Sequence, residues 1–474
     1  MNDYRRNNSQ YVQLNLKKKG SKYNLWTKFL FVHNGSPKND VEANIMYTAN
    51  DTLYVNSKER VSKEGYNPRV DLHGDFSLPK GQSIDITLTY HYSKNSYNRY
   101  YEENAFSCQN QADEDMHKVS IEGNYTKQFE KSILGVFFFD HYKTSRTDYT
   151  STSASNQKLI SNEGILWLGY MQQFGQKWLM NARTGFSSLC YRLNEADYIS
   201  QLFPRTNVSL RYSISQNQAF TWCGNVGNSF PTITTLNSAD QLINSILIKK
   251  GNPDQKMSKM YNSMLLYNYF SSRLTLQSGI SGDLYRNIDL PTFYAEDGKI
   301  INSFNTNNDY YKLMIAVSGT YSILDNLQLM FNVASIHTKF SGIANLKRSM
   351  MGGIFELNYT LKNLKFKVSA KTKEKRLTES AAFEDDFIRY STNIVWSKKS
   401  WLAELGLENI FSNDNQLKSK YSSAAYSYIS HDFDKPNQGN IYIKLQYKFN
   451  HGKKIKAEKS NINTDIESAI MNAH

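Results

Sequence analysis

The sequence predicts an all-β protein, one large antiparallel transmembrane β-barrel, and three observations predict it. The first is alternation. In the segment 67–78, Val70, Leu72, Phe76 and Leu78 share one face, while Asp71, His73, Asp75 and Ser77 share the other. After Pro79-Lys80-Gly81 the pattern resumes, with Ile84, Ile86, Leu88, Tyr90 and Tyr92 against Asp85, Thr87, Thr89 and His91. Successive strand side chains point to opposite faces, so each arm has one apolar and one polar face. The second observation is length. Soluble strands usually run ~5–6 residues, whereas these arms hold the pattern for about the 9–11 residues that a tilted strand needs to cross a bilayer. The third is punctuation. Short turn signals alternate with long polar excursions, which is the outer-membrane plan of tight turns at one rim and long loops at the other.

In chain order, alternation bounded by turn residues gives about nineteen strands, each boundary good to ~2–4 residues. The first four lie at 11–18, 22–33, 67–78 and 83–97, with turns at Lys19-Gly20 and Pro79-Lys80-Gly81. Outward residues are even-numbered on both arms of 67–97, so the turn has an odd length. Pairing Leu78 with Ile84 sets Asp71 opposite His91 in the lumen, read as an ordinary polar pair. Strands at 116–127 and 132–145 flank Gln128-Phe129-Glu130, and 159–173 and 178–191 flank Phe174-Gly175-Gln176. Ser215-Gln216-Asn217 separates 202–214 from 219–228, and Phe270-Ser271-Ser272 separates 258–269 from 273–288. The next pair, 309–321 and 327–340, turns at Leu324-Asp325-Asn326; Leu327, Leu329, Phe331 and Val333 alternate there with Gln328 and Asn332. Strands 347–360 and 364–376 turn at Lys362-Asn363, with Lys365, Lys367 and Lys371 inward, and 386–397 and 400–411 turn at Lys398-Lys399. The last strand, 439–449, places Ile441, Ile443, Leu445, Tyr447 and Phe449 on the lipid face, with Lys444 inward. The polar excursions at 34–66, 101–115, 148–156, 229–254, 291–308 and 413–438 are expected as loops, and the acidic runs 113–115 and 384–386 as solvated loop tips. Two domains follow: a barrel over 1–450 and a polar tail over 451–474.

Bulk composition agrees. Mean hydropathy is −0.59, as a barrel with a polar lumen and polar loops requires, and no run approaches the 18 apolar residues of a membrane helix. Tyr 33, Phe 25 and Trp 6 supply material for aromatic girdles. The net charge of +13 comes without a basic helical stripe or nucleic-acid motif, so it is read as scattered lysine and no nucleic-acid partner is expected. Cys108, Cys190 and Cys223 are far apart and show no CxxC, so neither a disulfide framework nor a cysteine metal site is expected. HExxH, GxSxG, P-loop and GxGxxG patterns are absent, and no HxxxH spacing occurs among the nine histidines. No enzyme activity, cofactor or metal site is expected. A β-propeller is the rejected alternative, because its strands are shorter and no Trp-Asp signature occurs.

Three spots resemble one family. Residues 228–237, Asn-Ser-Phe-Pro-Thr-Ile-Thr-Thr-Leu-Asn, leave a strand through Phe230 and Pro231 and end in Leu-Asn. Gly251, Asn252 and Pro253 precede a strand as a Gly-Asn-Pro step. Residues 407–411, Leu-Glu-Asn-Ile-Phe, end the penultimate strand with Asn409 and Phe411. Together they resemble the C-terminal barrel of TonB-dependent receptors of the outer-membrane β-barrel family common in Bacteroidota, over nearly the whole chain. The resemblance implies a barrel of 22 strands around a plug, in the bacterial outer membrane, importing a bulky ligand. It also implies outer-membrane lipid, an extracellular ligand held by loops, and the barrel-insertion machinery as partners. No signal peptide, TonB-contacting segment or plug precedes the first strand, and about three strands are missing from that count. The expectation is therefore a truncated receptor barrel, incapable of energised uptake alone, with a gap or parallel seam between its first and last strands. A plug-free porin and a structural or adhesin-like surface barrel are the rival readings.

Overall fold

The computed structural model describes residues 3–48, 52–151, 154–342, 345–412, 415–433 and 438–448. Nineteen strands form one sheet. In chain order the elements are β1 (Asp3–Lys19), β2 (Tyr23–Thr48), β3 (Thr52–Leu78), β4 (Gln82–Glu103), β5 (Phe106–Gln128), β6 (Ser132–Thr150), β7 (Ala154–Phe174), β8 (Trp178–Leu193), β9 (Ile199–Ser215) and β10 (Gln218–Ser229). A single helical turn, α1 (Ile233–Leu236), and two short strands, β11 (Gln241–Leu242) and β12 (Leu247–Lys249), follow. The wall resumes with β13 (Ser258–Phe270) and β14 (Leu274–Arg286), then leaves it for β15 (Leu290–Glu296) and β16 (Lys299–Asn305). Next come β17 (Asp309–Leu324), β18 (Leu327–Ser341), β19 (Lys347–Leu361) and β20 (Leu364–Lys371), then the short β21 (Lys375–Leu377) and β22 (Phe383–Asp385). The last elements are β23 (Arg389–Lys398), β24 (Trp401–Glu408), β25 (Gln416–Ser422), β26 (Ser427–Phe433) and β27 (Asn440–Tyr447).

Every wall strand pairs antiparallel with its neighbour along the chain, at the short turns, which permit only that geometry, and across the long connections alike. All nineteen sequence-predicted strands are present in order, and every predicted short turn separates a wall pair. The alternation sorts the faces. Outward Leu72, Ile86 and Leu88 are exposed, whereas inward Asp71 is buried between Lys28 and Arg69. Inside, Asn207, Asn225, Asn262 and Asp283 occupy one cross-strand row. Asn225 Nδ2 donates to Asn262 Oδ1 at 3.0 Å, so these polar groups satisfy one another across the lumen wall.

Four expectations need correction. The turn after Leu78 has three residues, as its odd length requires, but Phe76 pairs with Ile84 and Leu78 with Gln82. Asp71 therefore faces Thr89, whose hydroxyl donates to it at 2.9 Å, and His91 faces Arg69. Lys80 and Gly81 both take positive φ, 59° and 69°, and this tight reversal sets the register. Second, the excursions 34–66, 101–115 and 148–156 are largely strand, not loop, because β2 to β6 carry the ladder on, and 291–308 and 413–438 are likewise largely strand, folded as β15–β16 and β25–β26. Third, the acidic runs are not loop tips: 113–115 lies on β5, with Asp113 and Asp115 exposed as expected, and 384–386 begins on β22. Glu114 is fully buried on β5 and accepts from Asn95 and Ser145, while Asp386 pairs with Lys371 and Arg389. Fourth, the predicted strand 364–376 stops at Lys371, five residues short of its expected end.

No ladder joins β1 to β27 among the described residues. Side chains there lack a lateral neighbour: Ile443 is 74% exposed, against 41% for Leu88 in mid-sheet. Two small four-stranded sheets, β11-β12-β16-β15 and β21-β22-β25-β26, occupy the long-loop end. Their apolar residues pack onto the inward faces of the long strands; one cluster joins Leu290, Tyr310, Phe340, Leu377 and Tyr421. The tail 451–474 lies outside the described residues.

Candidate ligand-binding vestibule

The small sheets and the long strands enclose a cavity of about 650 Å³ at the long-loop end. The wall and four inter-strand connections build it, the β20–β23 connection supplying Glu379 and Ser380. From the wall come Glu59 of β3 and Tyr97 and Arg99 of β4, which project inward because the period of two continues beyond the bilayer belt. The β10–β13 connection brings Lys249, the β14–β17 connection brings Asp289, Phe293, Asn302 and Phe304, and the β24–β27 connection brings Tyr421, Tyr426 and Tyr428.

Hydrogen bonds fix these pieces to one another. Glu103 Oε1 accepts from the Ser245 amide at 2.9 Å, and Asn110 Nδ2 donates to the Leu242 carbonyl at 2.7 Å, tying β4 and β5 to the β11–β12 segment. Lys299 Nζ donates to the Ser245 carbonyl at 2.5 Å, and the Tyr421 hydroxyl donates to the Pro291 carbonyl at 3.3 Å. Aromatic rings form one wall: Phe293 stacks on Tyr426 with centroids 4.7 Å apart and meets Tyr421 at 5.0 Å.

The electrostatics are unbalanced. Arg99 donates through Nε to Glu59, and its guanidinium lies 4.7 Å above the Tyr101 ring, yet its Nη1 is buried without a protein partner. Asp289 and Asn302 line the same cavity, and each has an Oδ1 that is buried and unpartnered. Burial pushes the Asp289 carboxyl up to about 6 and lowers the Lys249 ammonium, with no opposite charge beside either among the described residues. Burial also pushes the Tyr426 phenol up to about 12. Buried polar groups are normally satisfied, and here three residues that each carry a buried, unpartnered polar atom line one space.

The sequence-predicted motif positions form two groups, both structural. Phe230 packs on the cluster of Leu159, Leu189, Tyr191, Leu193 and Leu236, and Pro231 leads into α1. Gly251 lies directly against this segment. Its amide donates to the Asn237 carbonyl at 2.6 Å, and a Cβ at Gly251 would meet that oxygen at 2.3 Å. Asn252 donates to the carbonyls of Thr235 and Phe304, and Pro253 lies in the turn that the Asn252 side chain caps by accepting from the Asp254 amide at 2.9 Å. The first two motifs thus clamp one loop as a unit, and Asn252 carries that clamp to the vestibule strand β16. Asn409 is apart, with φ at 48°: its side chain accepts from the Tyr390 amide at 3.0 Å, and exposed Phe411 stacks on Tyr390 at 6.0 Å. Ile441, Ile443, Leu445 and Tyr447 lie exposed on β27, while Phe449 is outside the described residues. All three cysteines are free thiols.

Sequence reading missed Lys249 and most of the aromatic wall, because they fall in stretches read as loop. The available signal was the short apolar islands there, residues 246–248 and 300–301, which are too greasy for solvated tips. A larger cavity of about 780 Å³ lies on the outward face, between Trp222, Tyr261, Tyr311 and Leu313 over Gly224 and Gly282. Its place on the apolar side of the wall separates it from the vestibule chemistry.

No protein-family model matches the chain, and no curated protein sequence matches it. Solved structures do. The ferric citrate transporter FecA in its unliganded form superposes with a TM-score of 0.63 at 12% identity, covering 93% of this chain and 78% of that one. The fold is that of outer-membrane transporter barrels. The copper transporter OprC gives 0.58 at 10% identity over 94% of this chain and 80% of its own. The siderophore receptor PiuA from Acinetobacter baumannii gives 0.57 at 10% identity over 95% and 82%. At such identities the likeness speaks for the barrel and not for a ligand.

Proposed function

We propose that this chain is the barrel of an outer-membrane receptor of the TonB-dependent type, which captures a bulky ligand at the cell surface for import. One observation carries the reading: Arg99, Asp289 and Asn302, polar residues that each hold a buried, unpartnered atom, line one aromatic-walled cavity at the long-loop end. The structural neighbours, described as transporters and receptors of ferric citrate, copper and siderophores, support the class. Ile441, Ile443, Leu445 and Tyr447 face lipid on this reading, and the barrel-insertion machinery assembles the wall. The unpaired edges of β1 and β27 accept further strands, since an open edge in lipid leaves backbone groups unsatisfied at several kcal/mol each. Energised transport then also needs the plug that gates such lumens.

The test is equilibrium binding to the full chain in detergent, using ferric citrate, a ferric siderophore, copper ion, oligosaccharides and peptides as separate probes. Saturable binding of one class, weakened at least tenfold by Tyr426→Ala or Arg99→Ala, is expected. Absence of binding in every class, together with steady open-pore conductance in a planar bilayer, would establish the passive porin instead.

A further inference from the structure

We propose a binding site for one divalent transition-metal ion on the lumen wall near the short-turn rim, formed by His73, Asp75 and Asp85. It is separate from the vestibule and independent of its reading. His73 and Asp75 are two apart on β3 and so share the inward face, and Asp85 sits directly across from Asp75 on β4. One donor atom from each of the three converges within 4.8 Å of the others. His73 Nε2 lies 2.8 Å from Asp75 Oδ1 and 3.7 Å from Asp85 Oδ2. Donor atoms around a tetrahedral zinc with bonds of about 2.0–2.2 Å stand roughly 3.4 Å apart, so small side-chain movements make the three a ligand face.

The surroundings orient these donors as metal sites require. His73 Nδ1, the nitrogen left over, is 2.8 Å from Thr87 Oγ1, which holds the ring with Nε2 toward the carboxylates. Asp75 Oδ2 accepts from Asn24 Nδ2 at 3.0 Å, leaving Oδ1 toward His73. The Trp26 ring stacks on the imidazole with centroids 4.7 Å apart. The charge balance also calls for a cation. Two carboxylates face each other across the ladder, an arrangement that repels when both are ionised, and Glu122 stands on the next strand across from Thr87. The neighbouring lysine, Lys28, is engaged by Asp71. One imidazole and two carboxylates suit Zn²⁺, Ni²⁺ or Cu²⁺ better than Ca²⁺, which takes six or more oxygens, and water fills the remaining position.

Calorimetric titration of Zn²⁺ into the untagged, chelator-treated full chain should give one site per chain. His73→Ala and the near-isosteric Asp85→Asn should each weaken it at least tenfold, while His337→Ala on the outer face leaves it unchanged. Trp26 supplies a second readout. Ni²⁺ or Cu²⁺ should quench part of the tryptophan fluorescence, and that part should vanish in Trp26→Phe and in His73→Ala. Gel mobility with and without heating confirms that each variant is folded. Failure to bind Zn²⁺ saturably, or binding and quenching that survive both His73→Ala and Asp85→Asn, would overturn the site.

Discussion

The two sides of this barrel build their outer ends by different means. On one side β2, β3, β4 and β5 run 26, 27, 22 and 23 residues, and one continuous ladder serves both the bilayer and the space beyond it. On the other side β20, β23, β24 and β27 have 8, 10, 8 and 8 residues, and the chain between them folds back as a small separate sheet. The difference shows that polar sequence and loop are not the same thing. Above the belt on β4, Tyr97, Arg99, Tyr101 and Glu103 still alternate with Asn98, Tyr100 and Glu102; only the solvent on the outer face has changed. On the short side the alternation stops, and tertiary packing must hold what the ladder does not. The vestibule forms where the two constructions meet.

The largest expected effect breaks the short side alone. Phe340 is almost fully buried, touching Tyr310 at 4.8 Å inside the cluster that fastens β21 and β25 to the wall. Phe340→Ala should cost about 3–5 kcal/mol of local stability. Hydrogen exchange should then accelerate through 375–433 while the ladder of β3–β5 keeps its protection. Equal acceleration on both sides would mean that they form one cooperative unit.

A second change locates the belt within the long side. Leu88→Arg places a charge on the lipid face of β4 and should cost ~2–4 kcal/mol if it lies at the bilayer midplane. Tyr100→Arg, on the same face twelve residues along the strand, should stay within about 0.5 kcal/mol, as a surface change does. Urea titration of folding into lipid vesicles measures both, and similar costs would show that the belt extends past the point where alternation turns polar.

A third comparison concerns buried polarity. Glu114 of β5 is fully buried and accepts from Asn95 Nδ2 at 3.0 Å and Ser145 Oγ at 3.1 Å. Glu114→Ala removes the acceptor of the Ser145 hydroxyl and one of the two acceptors of the Asn95 amide, and should cost about 1–3 kcal/mol, read as faster exchange in β4–β6 only.

Much of this was legible in the sequence because a strand's period is short and the bilayer makes it strict. A slip of one residue would turn Leu88 inward and Asp85 to lipid, so strand number, order and faces follow from residue types. The pairing at 79–81 was not, since an odd turn allows three residues as well as five, and only the positive φ of Lys80 and Gly81 selects three. That shift of two replaces an Asp71–His91 pair with the His73, Asp75 and Asp85 group. The vestibule was illegible for another reason. Lys249, Asp289 and Tyr426 come from three separate connections, and no local pattern says that these meet. The motif residues Gly251 and Asn409 stood out because backbone constraints select them, which marks construction and not binding.

The most local expected effect is a pH dependence confined to the seam between the two constructions. Burial holds the Asp289 carboxyl at about 6, above its ordinary 3.8. For a carboxyl raised on folding, the unfolded chain releases its proton first, so the folded form is favoured at low pH and loses that advantage as pH rises. Local stability of β15 and β16 should therefore fall between about pH 4 and pH 6 and level off above. The long strands, whose outer ends rest on a ladder, should show no such window from this group. Exchange rates of the β15–β16 amides, corrected for the intrinsic pH dependence of exchange, measure it, and Asp289→Asn should flatten the profile. A ligand group that is cationic or donates hydrogen bonds reverses the sense, because pairing with Asp289 favours its ionised form; bound ligand should then protect these amides most above pH 6. A profile that stays sloped in Asp289→Asn would assign the titration to another group and leave the buried carboxyl without a role at this junction.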